Sequence, residues 1–227
     1  MKGTLVNTAT VLIGASIGYF AGARLPERIR TILMQGLGLV TLILGVRMIL
    51  AAEGSDAVIK VAGALFLGGI AGELFKIEQG LEKIGEYLKS RMQSESATFV
   101  LGFVSASLLF CVGPMTIVGS IEDGVRGDAS ILYTKSIMDG VAAIALASSL
   151  GVGVFFSALT VLIIQGGLTL LGGQLSILSV PEVINNLTCT GGAMIVGISF
   201  KLLNIAAVRV GNFLPALVFI ILFSLCF

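Results

Sequence analysis

Residues 110–140 read FCVGPMTIVGSIEDGVRGDASILYTKSIMDG. The segment starts inside an apolar run and breaks it at Gly113-Pro114. It crosses a polar turn from Glu122 to Asp128, then enters a second apolar run that holds Lys135 and Asp139. Six charged residues lie here, in a chain of 227 with only 14 basic and 13 acidic ones. Ionisable groups and irregular backbone are both costly in hydrocarbon, where no water satisfies them. Their coincidence marks this stretch as the polar centre of a membrane protein.

The rest of the composition agrees. Apolar residues make up 56% of the chain, charged residues 12%, and the mean hydropathy is +1.05. Soluble domains are about 25% charged. The expected fold is therefore all-α, a polytopic transmembrane helix bundle. A span takes roughly 20 apolar residues, which leaves room for seven or eight spans and no separate soluble domain. The net charge of +1 gives no footprint for nucleic acid. Histidine and tryptophan are absent, which excludes Ser-His-Asp and Cys-His nucleophiles and removes the commonest zinc ligand. No enzyme, cofactor or metal is expected. Cys111, Cys189 and Cys226 sit in apolar runs without a C-x-x-C pair and read as small hydrophobes. Thirty glycines, with pairs such as Gly14/Gly18 and Gly68/Gly72, predict helices that approach closely.

Upstream of the centre, spans are expected at 3–23, 31–51 and 57–75. The first is too long for the apolar core of a signal peptide, and Arg24 follows it. Asn7 is its one strongly polar residue. Residues 76–93 differ: Ile77, Leu81, Ile84, Leu88 and Met92 recur on one helical face, and Lys76, Glu78, Glu82, Lys83, Glu86 and Lys89 cover the rest. This is an amphipathic helix, for the membrane surface or for a partner. The centre itself supplies a fourth span at 97–121, broken at Gly113-Pro114, and a fifth at 129–150, with Asp128 as its expected N-cap. After a tight turn at 151–153 come spans at 154–171, carrying Gln165, and at 182–203 and 207–227. Lys and Arg concentrate in the loop after the first span and in 76–93, so that side is expected to be cytoplasmic and the N-terminus outside.

An internal repeat is also visible. Thr10-Val11-Leu12-Ile13 returns as Thr160-Val161-Leu162-Ile163, and Leu25-Pro26-Glu27 as Val180-Pro181-Glu182. Gly36 then answers Gly191, and Arg47 answers Lys201. Spans one and six run in opposite directions, so the repeat is read as inverted, an architecture of secondary transporters. The expected layout is a first repeat unit at 1–75, the amphipathic helix at 76–93, the broken-helix region at 97–150, and a second unit at 154–227.

Three features of the centre could carry chemistry. A break at Cys111-Val112-Gly113-Pro114-Met115-Thr116 frees backbone groups that can hold an ion or an anion's oxygens; a kink that only shapes packing is the other reading. Asp128, Lys135 and Asp139 are spaced by seven and four, which puts them on one helix face. A charge at the bilayer centre costs roughly 2.5–3.5 kcal/mol, so two such charges argue for use; a self-satisfied structural pair is the alternative. Glu122 to Asp128, with Asp123, resembles a calcium loop in composition but lacks its pattern. It reads as a solvated turn or an outer vestibule.

Several longer motifs resemble one family: M-K-G-T-L-V-N-T at 1–8, A-G-E-L at 71–74, C-V-G-P-M at 111–115, G-S-I-E-D-G at 119–124 and K-S-I-M-D-G at 135–140. On these the sequence resembles the YdfK/YqgA-like bacterial inner-membrane proteins across essentially its whole length. The resemblance implies a multi-span inner-membrane protein with a loose transporter label. It brings no substrate or catalytic residues.

The expected function is movement of a small solute or ion through a mid-membrane site drawn from Asn7, Cys111, Gly113, Pro114, Met115, Thr116, Asp123, Asp128, Lys135 and Asp139. The rival is a non-transporting membrane partner or assembly factor that docks through residues 76–93. The partners expected are the lipid bilayer and an unidentified small solute or ion; homo-oligomerisation stays open.

Overall fold

A computed structural model describes residues 1–22, 25–52, 54–175, 178 and 180–226. The end of the first expected span at Ala23, the loop residue Arg24 and the final Phe227 lie outside the described residues. Ten α-helices are described: α1 (Lys2–Gly22), α2 (Glu27–Ile49), α3 (Gly54–Leu74), α4 (Ile77–Arg91), α5 (Phe99–Cys111), α6 (Pro114–Val125), α7 (Ser130–Leu150), α8 (Ser157–Leu170), α9 (Pro181–Leu202) and α10 (Leu214–Cys226). Short 3-10 turns at Gly151–Phe156 and Val210–Phe213 lead into α8 and α10. The all-α reading holds.

The chain forms two compact units, residues 1–35 with 82–177 and residues 36–81 with 178–227. These cut across the segments drawn from the sequence, and both α2 and α4 are divided between units.

In the first unit α1 and α7 lie side by side and run parallel. Their contact is a seam of small residues four apart. A Cβ built on Gly14, Gly18 or Gly22 would stand 2.3, 2.2 and 2.3 Å from the carbonyl oxygens of Gly140, Ile144 and Ser148. Only glycine permits that approach, which is how membrane helices gain contact when lipid offers no hydrophobic drive. Helix α8 runs antiparallel to α1, with Thr169 beside Thr4, Gln165 beside Asn7 and Phe155 beside Tyr19. The α5–α6 pair follows the direction of α8: Gly153 lies against Phe99, Thr160 against Ser107 and Thr169 against Gly124. The opposite faces of α1 present Leu5, Ile13, Ile17 and Phe20 outward.

This geometry divides the apolar stretch Ser130–Leu170. Its 41 residues would reach about 62 Å as one helix, roughly twice the hydrocarbon thickness. The chain instead reverses at the 3-10 turn, where Gly151 takes φ +80°, the left-handed region that glycine tolerates. By length and composition five stretches could cross a membrane, or six with the bent α5–α6 pair, and Ser130–Leu170 enters that number once. The seven or eight spans expected from sequence exceed it by the doubling back of this stretch and by the shorter apolar segment Val210–Cys226.

In the second unit α2 packs antiparallel to α9, with Gly38 on Leu203 and Gly45 on Gly192 and Val196. Helix α3 packs antiparallel to α10, with Gly63 near Phe223, Gly68 on Ala216 and Gly72 on Asn212. Pro181 opens α9 at its first turn, as its missing N–H and fixed φ favour. The amphipathic reading of residues 76–93 needs one correction. Glu78, placed on the charged face, is 3% exposed, whereas Ile84 and Met92 of the apolar stripe are exposed. The Glu78 carboxylate accepts from Lys201 Nζ at 3.2 Å and from the Gly211 N–H, and its own N–H donates to Asn212 Oδ1 at 2.7 Å. Those partners explain why a charge turns inward where an isoleucine stays out.

Candidate functional site

Helix α7 carries its two ionisable residues one turn apart, so both project from one face. That face lies against α1 and α8. Lys135 and Asp139 are 4% and 8% exposed and form a direct ion pair. Asn7, fully buried on α1, donates both amide protons: one to Asp139 Oδ2 at 2.9 Å and one to Gln165 Oε1 at 2.8 Å. Gln165, also fully buried, donates to Thr4 Oγ1 at 3.2 Å. Thr4 and Thr169 share a hydroxyl contact at 3.1 Å, and Thr169 returns its proton to the Gln165 carbonyl. A single network thus joins three helices inside the apolar unit. The Coulombic attraction of the pair and the amide donors offset a desolvation cost that neither charge could bear alone.

The network is not closed. Asn7 Oδ1 and Ser120 Oγ are buried without a hydrogen-bond partner among the described residues. Gly3 on α1 meets Asp123 on α6, its N–H donating to the carboxylate at 3.1 Å. The Ser120 hydroxyl is unusual here. Thr8, Ser16, Thr41 and Ser136 all return theirs to the carbonyl four residues back, the ordinary habit of a helical hydroxyl.

The α5–α6 break lies beside this network. Gly113 is extended, with φ −71° and ψ 150°, and Pro114 is the first residue of α6. Proline forces the preceding residue out of the helical region, and the two helices meet at 58°. Thr116 is fully buried and caps the gap, its hydroxyl donating to the Phe110 carbonyl at 3.0 Å. Nothing lies within 4 Å of a Cβ added to Gly113, so proline rather than glycine sets the break. Met115 is half-buried on the first turn of α6. Cys111, a free thiol at the end of α5, lies within electrostatic reach of Lys135 and Asp139.

Two of the expected residues fall elsewhere. Asp128 is exposed and outside α7, whose N-cap position is Ala129. Its carboxylate accepts from the Ser130 hydroxyl and from the Ser130 N–H at 2.9 Å, a local turn that holds its pKa below the usual range. It does not join Lys135 and Asp139. Asp123 does not lie in a solvated turn, because α6 continues to Val125. Gly124 lets α6 close on α8, a Cβ there standing 2.1 Å from the Thr169 carbonyl. Asp123 is consequently 5% exposed and accepts from the Gly3 N–H at 3.1 Å and from the Met1 nitrogen at 2.9 Å. Among the described residues no three His, Cys, Asp or Glu side chains are grouped to hold a metal ion.

Sequence reasoning placed Asn7, Lys135 and Asp139 in the centre, and they meet. It missed Gln165, Thr4, Thr169 and Ser120 as members. Gln165 had a signal, being the one strongly polar residue in its span. The hydroxyls had none, since serine and threonine are common in apolar helices and bond to their own backbone.

A family model matches residues 2–225, nearly the whole chain and therefore every element of this network. The chain belongs to the DUF554 family, described as proteins of unknown function. It is 30% identical over 219 residues to the uncharacterised membrane protein YdfK of Bacillus subtilis (strain 168), covering 96% of this chain and 93% of that protein. It is 30% identical over 220 residues to the uncharacterised protein YqgA of Escherichia coli (strain K12), covering 95% and 92%. No solved structure matches it.

Proposed function

We propose that the protein moves a small solute or ion across the bacterial inner membrane through the polar core of Asn7, Lys135, Asp139 and Gln165. One observation carries the reading: a buried ion pair, bonded by the buried Asn7 amide that Gln165 holds in turn, sits beside a broken helix and leaves the Asn7 carbonyl oxygen unused. A pair that served packing alone would gain by completing its hydrogen bonds. An open acceptor beside freed backbone suits a passing polar species.

An inverted repeat supports the same reading. The sequence likens α1 to α8 and α2 to α9, and the members of each of these two pairs pack antiparallel to each other. With Lys and Arg concentrated after α1 and in α4, the N-terminus lies outside the cytoplasm. The docking alternative draws on Ile84 and Tyr87 of α4, which are 52% and 58% exposed.

The test is electrical. Purified protein in proteoliposomes on a solid-supported membrane is exposed to jumps in protons, alkali cations, inorganic anions and amino acids. A transient current or uptake that folded Asp139→Asn protein lacks is the expected result. The same signal from folded Asp139→Asn protein contradicts the proposal.

A further inference from the structure

We propose that the ion this core takes up is a proton, and that it reaches Asp139 from the start of α1 through a second buried carboxylate, Asp123. The inference rests on the transport reading above and names its ion and its entry.

Two carboxylates are held on adjacent turns of α1. Asp123 of α6 accepts from the Gly3 N–H at 3.1 Å, and Asp139 of α7 accepts from the Asn7 amide at 2.9 Å. Gly3 and Asn7 lie on one face, one turn apart, about 6 Å along the axis. Both acids are buried. In each, the bonds formed among the described residues fall on Oδ2: from Gly3 and the Met1 nitrogen to Asp123, and from Lys135 and Asn7 to Asp139. That leaves Oδ1 of both for a proton. Two of the buried oxygens without a partner belong to the same helices. One is Asn7 Oδ1 on α1; the other is the Ser120 hydroxyl, one turn before Asp123 on the same face of α6. A hydroxyl both donates and accepts, so it can give up one proton as it takes another.

The packing at this end leaves no room for a solute. Leu132 of α7 is fully buried against Gly3 and Gly119, where an added Cβ would stand 2.5 and 2.7 Å from it. A hard cation needs several oxygen ligands at once; Asn7 instead turns both of its N–H groups toward its neighbours' oxygens. The titratable groups around the two acids are few. Lys135 and Cys111 lie by Asp139, and the Met1 nitrogen lies by Asp123. Glu122 and Arg126 pair with each other at the end of α6, Lys2 is exposed, and α8 carries no charged residue.

The step is a proton transfer that makes no other bond. Asp123 takes a proton from water at the start of α1. By way of the Ser120 hydroxyl it passes a proton to the Asp139 carboxylate and returns to its charged form. Asp139, once neutral, no longer compensates Lys135, so the arrival of the proton releases the pair.

The test records transient currents from proteoliposomes on a solid-supported membrane after jumps in acid alone, with sodium and potassium chloride jumps for comparison. The expected result is a current on the acid jump and none with either salt. Asp139→Asn and Asp123→Asn should abolish it, and Ser120→Ala should slow it severalfold. Asparagine at 123 still accepts the Gly3 N–H, and Ser120→Ala removes a hydroxyl that bonds nothing, so both variants should stay folded, as their melting temperatures would show. Should Asp123→Asn fail to fold, Ser120→Ala still decides. An acid current that persists in full in Asp139→Asn, or in both Asp123→Asn and Ser120→Ala, overturns the proposal. A solute or alkali-cation signal that Asp139→Asn abolishes, with no response to acid, overturns it but keeps the transport reading; no signal of any kind removes both.

Discussion

At the scale of single residues, the network is most sensitive at Asn7, which bonds two helices at once. Asn7→Leu strips Asp139 of a donor and leaves Gln165 Oε1 unpaired in an apolar interior. An unsatisfied buried group costs about 1–3 kcal/mol, so the variant should unfold at clearly lower temperature in detergent, and Thr169→Val should cost less. An unchanged melting temperature for Asn7→Leu would mean that the amide is solvated rather than bonded. Glu78 makes the same kind of case in the second unit: Glu78→Ala leaves Lys201 and the Gly211 N–H without their acceptor and should lower folded yield. Asn7, Lys135 and Asp139 were legible in the sequence because each is conspicuous in an apolar run. Glu78 was not, because an acid in an amphipathic helix reads as solvated. Its burial depends on Lys201, Gly211 and Asn212, residues distant in sequence that no periodicity announces. Asp128 failed in the opposite way: spacing put it on the stripe, but its own bond to Ser130 closes a turn before the helix begins.

At the scale of elements, the glycines sort into those that carry a contact and those that do not. Gly18 admits no Cβ against the Ile144 carbonyl, whereas nothing lies within 4 Å of one on Gly36. Gly18→Val should force α1 off α7 and abolish folded protein. Gly36→Ala should be tolerated and even stabilise by about 0.5–1 kcal/mol, since alanine loses less entropy in a helix. Folded yield by size-exclusion chromatography reads both. The α5–α6 break allows a matched pair. Gly113→Ala should be silent, because its side chain meets open space and its φ is ordinary. Pro114→Ala should insert normally but lose transport, because it restores a donor and lets α5 run on into α6. Full transport by Pro114→Ala would reduce the break to packing. The sequence placed the break at Gly113-Pro114 and opened a span at 182, one residue past the start of α9 at Pro181, because proline acts locally. It could not show that Gly124 draws α6 onward against α8, since that depends on a carbonyl 45 positions away in the chain. The reversal at Gly151 was legible as a tight turn between two spans, but the packing of both arms on α1 needed the contacts of α1 with α7 and α8.

At the scale of the whole molecule, the account makes a topological prediction and a functional one. With basic residues marking the cytoplasmic side, reporters fused after Arg91 and at the C-terminus should lie on opposite faces of the membrane. Reporters on the same face would contradict the alternation drawn here, most directly at Gly151–Phe156. The functional claim is that Lys135 and Asp139 are kept for use and not for structure. Removing one member of a buried pair leaves an uncompensated charge, typically about 3–5 kcal/mol, whereas replacing both with neutral groups is often nearly neutral. The decisive measurement is a double-mutant cycle of Lys135→Met and Asp139→Asn, read in two ways on the same preparations: folded yield, and the transport signal per folded molecule. The account predicts that each single change lowers yield and that the double change recovers it, while transport stays absent in all three variants. Transport recovered together with yield in the double variant would contradict it.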